Sequence, residues 1–156
     1  MKTVKDFMNE DVVFLSPDDT IFEAAKLLSQ LNIAGAPVVK KGKIVGIISI
    51  SDIIKFIDIK LGNLPKIDTP GLSSLLLVFF KMKKIHSDFG KEMTKITKST
   101  VKEVMTKNVI SISSSSTLIE AAELMEKYNV NRLPVVSEGK LVGIVARADL
   151  IRALID

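Results

Sequence analysis

Two aspartates at the same place in two copies of one phrase are the residues of this sequence best suited to binding chemistry. The phrase GIISISD runs from Gly46 to Asp52, and GIVARAD runs from Gly143 to Asp149, a constant 97 positions later. In each phrase a β-branched run passes into a helical pattern, so the aspartate falls in the first helical turn. A carboxylate there can accept hydrogen bonds from both hydroxyls of a ribose, as the acidic residue of other nucleotide folds does.

Helix capping is the competing interpretation of the same aspartates. Ser49 stands three residues before Asp52, which is the spacing of a capping box. In the second copy Ala146 replaces the serine, so the hydroxyl cap is lost while Asp149 remains, although an aspartate near a helix N-terminus is favoured by the helix dipole alone. Gly46 has no side chain to block a ligand's approach to the strand. The cap and the ribose acceptor both stay open at this point.

An internal duplication supplies the elements that position these aspartates. Residues 4–57 align without gaps with residues 101–154. In each copy a threonine, Thr20 or Thr117, precedes a glutamate by three residues and an apolar helical stripe follows. Both copies therefore predict a capped amphipathic helix.

The rest of each copy predicts short strands. β-branched runs joined by two-residue turns at Lys41-Gly42 and Glu138-Gly139 predict one hairpin per copy, and an earlier strand is predicted at Val12–Leu15 and at Val109–Ile112. With a short closing helix, each copy has the order strand, helix, strand, strand, helix. The predicted fold is α/β (α+β), with two such repeats stacked on each other because each sheet is covered on one face only.

This element order, the PVV strand, the hairpin and the phrase Gly-x-x-[Ser/Thr]-x-x-Asp resemble the tandem cystathionine-β-synthase-type (CBS) domain pair, also called a Bateman module. The resemblance covers both repeats, about two-thirds of the chain. It implies a pseudo-two-fold stack, often paired into a disc-shaped homodimer, with clefts between the repeats that bind AMP, ADP, ATP or an S-adenosylmethionine-like compound. Such modules sense a regulatory ligand, require no cofactor and signal to an effector protein, here unknown, by changing shape.

The resemblance also implies a set of ligand-binding residues. Asp52 and Asp149 would hold the ribose hydroxyls, and Ser49 would direct its hydroxyl toward a phosphate or the ribose. The residues around the two strand prolines would flank the adenine: Gly35, Ala36, Pro37, Arg132, Leu133 and Pro134.

Three further candidates for the ligand site carry weaker signals. Val13 and Ile110, on the opening strands, are candidates for the same adenine wall. Arg147, beside Ala146, is a candidate phosphate contact because a guanidinium matches phosphate oxygens. The alternative for Arg147 is a solvated surface arginine.

The stretch between the repeats predicts a long helix. The resulting division is residues 1–57 for the first repeat, 58–100 for a linker and 101–156 for the second repeat. Apolar residues from Leu75 to Ile96 step by three and four, a heptad-like seam with His86 on it and Gly90 as its weak point. We expect the seam to pack on its own module or on a sister chain in a homodimer.

Lysines on the other faces of this helix leave two further functions open. A basic amphipathic helix also suits a nucleic acid or a membrane surface, so the alternatives are a nucleic-acid-binding protein and a purely structural dimerisation module. An enzyme is not expected, because the sequence has no cysteine, one histidine, no serine elbow and no phosphate-binding loop. With no apolar run of about 18 residues, a cytoplasmic protein without a membrane span is expected.

Overall fold

The computed structural model describes residues 1–61 and 89–156. A 3-10 turn at Val4–Asp6 is followed by α1 (Ile21–Gln30), β1 (Gly35–Lys40), β2 (Lys43–Ser49) and α2 (Ile50–Leu61). Next come α3 (Phe89–Thr97) and α4 (Val101–Val104). The second copy has β3 (Ile112–Ser113), α5 (Leu118–Tyr128), β4 (Arg132–Ser137), β5 (Lys140–Ala146) and α6 (Arg147–Ile155). These mixed helices and strands confirm the predicted α+β class.

The two hairpins form at the predicted turns. Lys41 and Gly42 have φ angles of 52° and 79°, and Glu138 and Gly139 have 50° and 77°. Positive φ at both central residues is the type I′ turn, whose twist matches that of the paired strands. The turns therefore join β1 to β2 and β4 to β5 as predicted.

The opening strand of each copy is shorter than predicted. Instead of a strand at Val12–Leu15, only Leu15 forms a bridge, parallel to Val38 of β1. Instead of a strand at Val109–Ile112, the two residues of β3 pair in parallel with β4. Residues 10–14, between the bridges at Asn9 and Leu15, form no strand pairing.

The chain divides into two compact units that do not follow the order of the copies. One unit comprises Met1–Val13, Lys41–Ile44 and Asn108–Asp156, and we call it the Asp149 unit. The other comprises Phe14–Lys40 and Val45–Lys107, and we call it the Asp52 unit. Each unit thus takes the segment that opens the other copy.

These exchanged segments, residues 3–9 and 100–106, make the same pairings in the two units. Val4 and Val101 are fully buried in the core of the unit that they join. Each segment is also fixed by two isolated bridges: Thr3 to Thr117 and Asn9 to Ile144 in the Asp149 unit, and Thr100 to Thr20 and Thr106 to Ile47 in the Asp52 unit. The duplication is therefore retained in these backbone pairings as well as in the sequence.

Helix α3 belongs to the Asp52 unit and covers its helices α1 and α2. Ile96 is only 5% exposed there, and Met93 packs against the same core. This end of the predicted seam is therefore buried within its own chain. Gly90 is the second residue of α3, and the rest of the seam, with His86, lies outside the described residues.

Candidate functional site

Asp52 lies in the first turn of α2, where one of its carboxylate oxygens is held by the start of the helix. Its Oδ2 accepts hydrogen bonds from the backbone N–H and the hydroxyl of Ser49, both at 2.9 Å. The Asp52 N–H in turn donates to the Ser49 Oγ at 3.1 Å. This is a complete capping box. It also commits the one hydroxyl proton of Ser49 to Asp52 rather than to a phosphate.

The other oxygen of Asp52 is less occupied. Its Oδ1 accepts one long hydrogen bond, at 3.4 Å, from the hydroxyl of Thr106, and this contact is exposed. Thr106 was not among the residues predicted from the sequence, since it lies 54 positions away in the exchanged segment. A carboxylate oxygen can accept more than one hydrogen bond, so Oδ1 retains capacity for another donor.

The space above Gly46 is filled by the exchanged segment. A Cβ placed on Gly46 would lie 2.5 Å from the Met105 sulfur and 3.0 Å from the Thr106 carbonyl oxygen. The prediction that this glycine leaves the strand open to a ligand is therefore wrong. A glycine inside a strand marks the close approach of either a ligand or another backbone, and here it is the backbone that brings Thr106 to Asp52. The second copy repeats the arrangement at Gly143, with Met8 and Asn9.

Asp149 has different partners from those of Asp52. Its Oδ2 accepts a hydrogen bond from the backbone N–H of Ala146 at 2.8 Å. Its Oδ1 forms an ion pair at 2.8 Å with Arg152, whose side chain is 60% exposed. Because alanine has no hydroxyl, the side chain of residue 146 cannot accept a hydrogen bond from the Asp149 N–H. The other hydrogen bond of the capping box, from the Ala146 N–H to Asp149, is kept.

Arg147 is anchored to the end of the preceding helix. Its Nε donates to the carbonyl oxygen of Val130 at 3.3 Å, and its Nη2 donates to that of Met125 at 3.2 Å. Carbonyls at a helix C-terminus lack intrahelical partners and attract cations. The solvated arginine considered from the sequence is therefore wrong, because the half-buried guanidinium holds α6 against the end of α5.

Four of the residues predicted to flank the adenine are buried. Ala36 is 3% exposed and Leu133 is 0% exposed, and both belong to hydrophobic cores, so only their backbone is available to a ligand. Pro37 and Pro134 are also buried.

Gly35 and Arg132 occupy equivalent places at the open end of the two hairpins. A Cβ on Gly35 would lie 3.0 Å from the Ile48 carbonyl oxygen and 3.4 Å from Cα and Cβ of Ser49. Arg132 is exposed and pairs with Ala146 across the two strands. Each therefore lies beside the residue that precedes the closing helix.

The weaker candidates Val13 and Ile110 both belong to the Asp149 unit. Val13 is 38% exposed, but it belongs to the Asp149 unit, whereas Gly35, Ser49 and Asp52 belong to the Asp52 unit. Ile110 is partly buried against the core of the Asp149 unit.

Residues 1–61 and 89–156 contain neither a helix that could span a membrane nor a cluster of metal-ligating side chains. None of the helices in these ranges is long and apolar enough to cross a membrane. Within the same ranges, His, Cys, Asp and Glu side chains form no group of three or more that could hold a metal ion.

Comparison with known proteins adds a family and several relatives. The sequence model of the CBS domain matches twice, at residues 4–59 and 101–156. The uncharacterized protein MJ1426 of Methanocaldococcus jannaschii is 42% identical over 154 residues, covering 97% of this chain and 90% of that protein. The CBS domain pair of MJ0100, solved in complex with 5-methylthioadenosine and S-adenosyl-L-methionine, is 28% identical with a TM-score of 0.62, covering 99% of this chain and 96% of that one. CBSX2, solved in complex with AMP, is 24% identical and shares the fold, with a TM-score of 0.69 and coverage of 99% and 97%.

Proposed function

This chain belongs to the CBS domain family, in two copies, and we propose that it is a regulatory module that binds adenosine-containing ligands at Asp52 and Asp149. The ligand would be an adenosine nucleotide or an S-adenosyl compound, held through its ribose hydroxyls. Binding would be reported to an effector by a change in conformation, without chemistry on the ligand.

The observation that carries this proposal is the unequal use of the two oxygens of Asp52. Oδ2 accepts two hydrogen bonds from Ser49, one from its backbone N–H and one from its hydroxyl, and these fix the direction of the carboxylate. Among the residues that the structure describes, Oδ1 has one long contact, with Thr106. A fixed carboxylate with one oxygen available is suited to accept hydrogen bonds from vicinal hydroxyls, and hydrogen bonds to a charged acceptor are the stronger kind.

The relatives support the ligand class. A CBS domain pair 28% identical to this chain was solved with two compounds that contain adenosine, 5-methylthioadenosine and S-adenosyl-L-methionine. Both compounds carry a ribose with two free hydroxyls. A site built around a ribose-binding carboxylate in each copy suits either of them.

A route for the signal follows from the position of Thr106. A ligand hydroxyl that bonds to Oδ1 of Asp52 shares that oxygen with the Thr106 hydroxyl. Thr106 is part of the exchanged segment, whose Met105 fills the space over Gly46. Binding would therefore act on the segment that ties the opening of the second copy into the Asp52 unit.

We also propose a homodimer, in which a second copy of this chain covers α5 and α6. These helices expose large apolar side chains: Ile119 (72%), Ile151 (61%), Leu154 (87%) and Ile155 (82%). The equivalent helices of the Asp52 unit, α1 and α2, are contacted by α3. Ile57, the counterpart of Leu154, is 1% exposed, whereas Phe22, the counterpart of Ile119, is 58% exposed. An apolar patch of this kind is characteristic of an interaction surface.

A thermal-shift panel tests the proposed function. Adenosine, AMP, ATP and S-adenosylmethionine are added in turn to the parent protein and to the double variant Asp52→Ala, Asp149→Ala. A ligand that binds only the native state raises the melting temperature, so at least one compound should do so for the parent and none for the double variant. A parent protein that responds to none of them, or a double variant that responds equally, would reject the proposal.

A further inference from the structure

Each exchanged segment carries a methionine at the same position, Met8 in one and Met105 in the other. Both side chains lie against a glycine in the second strand of a hairpin, Gly143 for Met8 and Gly46 for Met105. We propose that Met8 and Met105 are sites of reversible oxidation, at which a peroxide converts the thioether to a sulfoxide and loosens the end of the exchanged segment. The proposal concerns the packing of the segments and stands independently of ligand binding.

The two methionines are intermediate in burial, so that solvent reaches part of each side chain while the rest packs in the protein. Met105 is partly buried against the core of the Asp52 unit, and Met8 is partly buried against the core of the Asp149 unit. Two other methionines mark the extremes, since Met1 is fully exposed and Met125 is 1% exposed. Because the oxidant must reach the sulfur, the expected order of reactivity is Met1, then Met8 and Met105, then Met125.

The reaction transfers one oxygen atom from the peroxide to the sulfur. An S–O bond forms as the O–O bond of hydrogen peroxide breaks, the sulfur loses two electrons, and the peroxide is reduced to water. The product replaces a flexible apolar side chain with a polar one. Methionine sulfoxide reductases reverse the change, with electrons from a dithiol.

The Met105 sulfur has no room for an added oxygen on the side of the strand. A Cβ on Gly46 would already lie 2.5 Å from this sulfur and 3.0 Å from the Thr106 carbonyl oxygen. That carbonyl is an acceptor and cannot donate a hydrogen bond to a sulfoxide. An oxygen on the solvent side makes the side chain polar where it now contacts the strand and the core. Either epimer of the sulfoxide therefore weakens the contact with Gly46.

Met8 has the same surroundings in the Asp149 unit. A Cβ on Gly143 would lie 2.6 Å from the Met8 sulfur and 3.0 Å from the Asn9 carbonyl oxygen. The argument for Met105 therefore applies to Met8 as well, and oxidation should act on both exchanged segments.

The residue after each methionine is hydrogen-bonded to the strand through its backbone. The Thr106 N–H donates to the Ile47 carbonyl oxygen at 2.8 Å, and the Ile47 N–H donates to the Thr106 carbonyl oxygen at 2.9 Å. Asn9 and Ile144 form the same two hydrogen bonds, at 2.8 Å and 2.9 Å. A methionine that moves off its glycine displaces the peptide that carries these bonds. Oxidation should therefore open this end of each segment, while the buried valine at the other end stays in place.

Limited treatment of the full chain with hydrogen peroxide tests the proposal. Peptide mapping by mass spectrometry gives the extent of oxidation at each methionine, and chromatography separates the singly oxidised forms. The form oxidised at Met105 should have a lower melting temperature, and its Ile47 and Thr106 amides should exchange about tenfold faster or more, as expected for a disturbed core contact. The form oxidised only at Met1 should match the untreated protein. Methionine sulfoxide reductases should restore the parent values.

Matched substitutions assign the effect to these two sulfurs. The double variant Met8→Leu, Met105→Leu keeps apolar side chains of similar volume, and it should keep its melting temperature after peroxide treatment. Met93→Leu removes another methionine that packs against the core of the Asp52 unit, and this variant should still lose stability on treatment. If the double variant does not fold, the separated forms of the parent chain give the same comparison without a substitution.

Three results would overturn the proposal. Met8 and Met105 could remain reduced while Met1 is fully oxidised, which would mean that their sulfurs are inaccessible. Their sulfoxides could leave amide exchange and melting temperature unchanged, which would mean that the contacts with the glycines do not hold the segments. A treated double variant could lose as much stability as the parent, which would place the effect at another residue. Reversible loosening that requires Met8 or Met105 supports it.

Discussion

Gly46 and Gly143 are the residues over which the exchanged segments pass, and each admits its segment only because it lacks a side chain. At Gly46 a Cβ would lie 2.5 Å from the Met105 sulfur and 3.0 Å from the backbone oxygen of Thr106. The methionine side chain can move, but the carbonyl is held in the bridge between Thr106 and Ile47. An added methyl group therefore cannot be absorbed by a rotamer change alone.

We predict that Gly46→Ala lowers the free energy of unfolding by about 1–3 kcal/mol, the usual cost of overpacking. Chemical denaturation of the parent and the variant measures this. Gly90→Ala is the matched control, because no described residue outside its own helix lies within 4 Å of the added Cβ and alanine is the better helix former. A Gly46→Ala protein as stable as the Gly90→Ala protein would show that the segment does not press on this strand.

The residues of the candidate site that were predictable from the sequence are those with local signals. Asp52 and Ser49 could be identified because a helix start needs a short polar pair at this spacing. Thr106 could not, because its contact with Asp52 depends on a segment 54 positions away. The carbonyl partners of Arg147 lie 17 and 22 positions away, and no periodicity in the sequence encodes such distances.

At the scale of the elements, the capping box at the start of α5 can be followed by titrating its carboxyl group, that of Glu120. Glu120 accepts a hydrogen bond from the Thr117 N–H at 2.7 Å. This backbone hydrogen bond is the main reason that the pKa of the Glu120 carboxyl lies below its ordinary value of 4.5, with desolvation acting in the opposite direction. The ionised form thus stabilises the start of α5.

We expect this contribution to be present above pH 4.5 and to be lost as the pH falls through the lowered pKa of the folded state. Titration of the Glu120 side-chain resonance by NMR should give a pKa below 4.5. In Thr117→Ala the pKa should rise only in part, since the backbone donor remains. A pKa at or above 4.5 in the parent protein would contradict the hydrogen bond described for this helix start.

Hairpins and helices were predictable from the sequence, whereas the opening strands were not. A two-residue turn with glycine in second place fixes the hairpin without reference to the rest of the chain. Leu15 and β3, by contrast, pair with residues much later in the chain, Leu15 with Val38 and β3 with β4. A β-branched run such as Val109–Ile112 does not indicate with which residues the preceding segment pairs.

At the scale of the whole molecule, the proposed homodimer depends on the apolar face of α5 and α6. Leu154→Glu places a charge on a side chain that is 87% exposed in the single chain. We predict that the parent sediments as a dimer and the variant as a monomer of 17.1 kDa, with little change in unfolding free energy. Ile59→Glu, at a position 80% exposed on α2, should leave the dimer intact. A parent protein that is monomeric at high concentration, or a Leu154→Glu protein that still dimerises, would refute this interface.

The most direct test of a ligand-binding module compares Asp52→Ala with Glu23→Ala, because both remove the acid of a capping box of the same geometry. The N-cap backbone donates to Asp52 at 2.9 Å and to Glu23 at 2.9 Å, so each variant should lose a similar stability, about 0.5–1 kcal/mol. Calorimetry with an adenosine ligand that binds the parent should show affinity lowered about ten- to a hundredfold by Asp52→Ala alone. Equal affinity of the two variants, alongside equal losses of stability, would mean that Asp52 is only a helix cap.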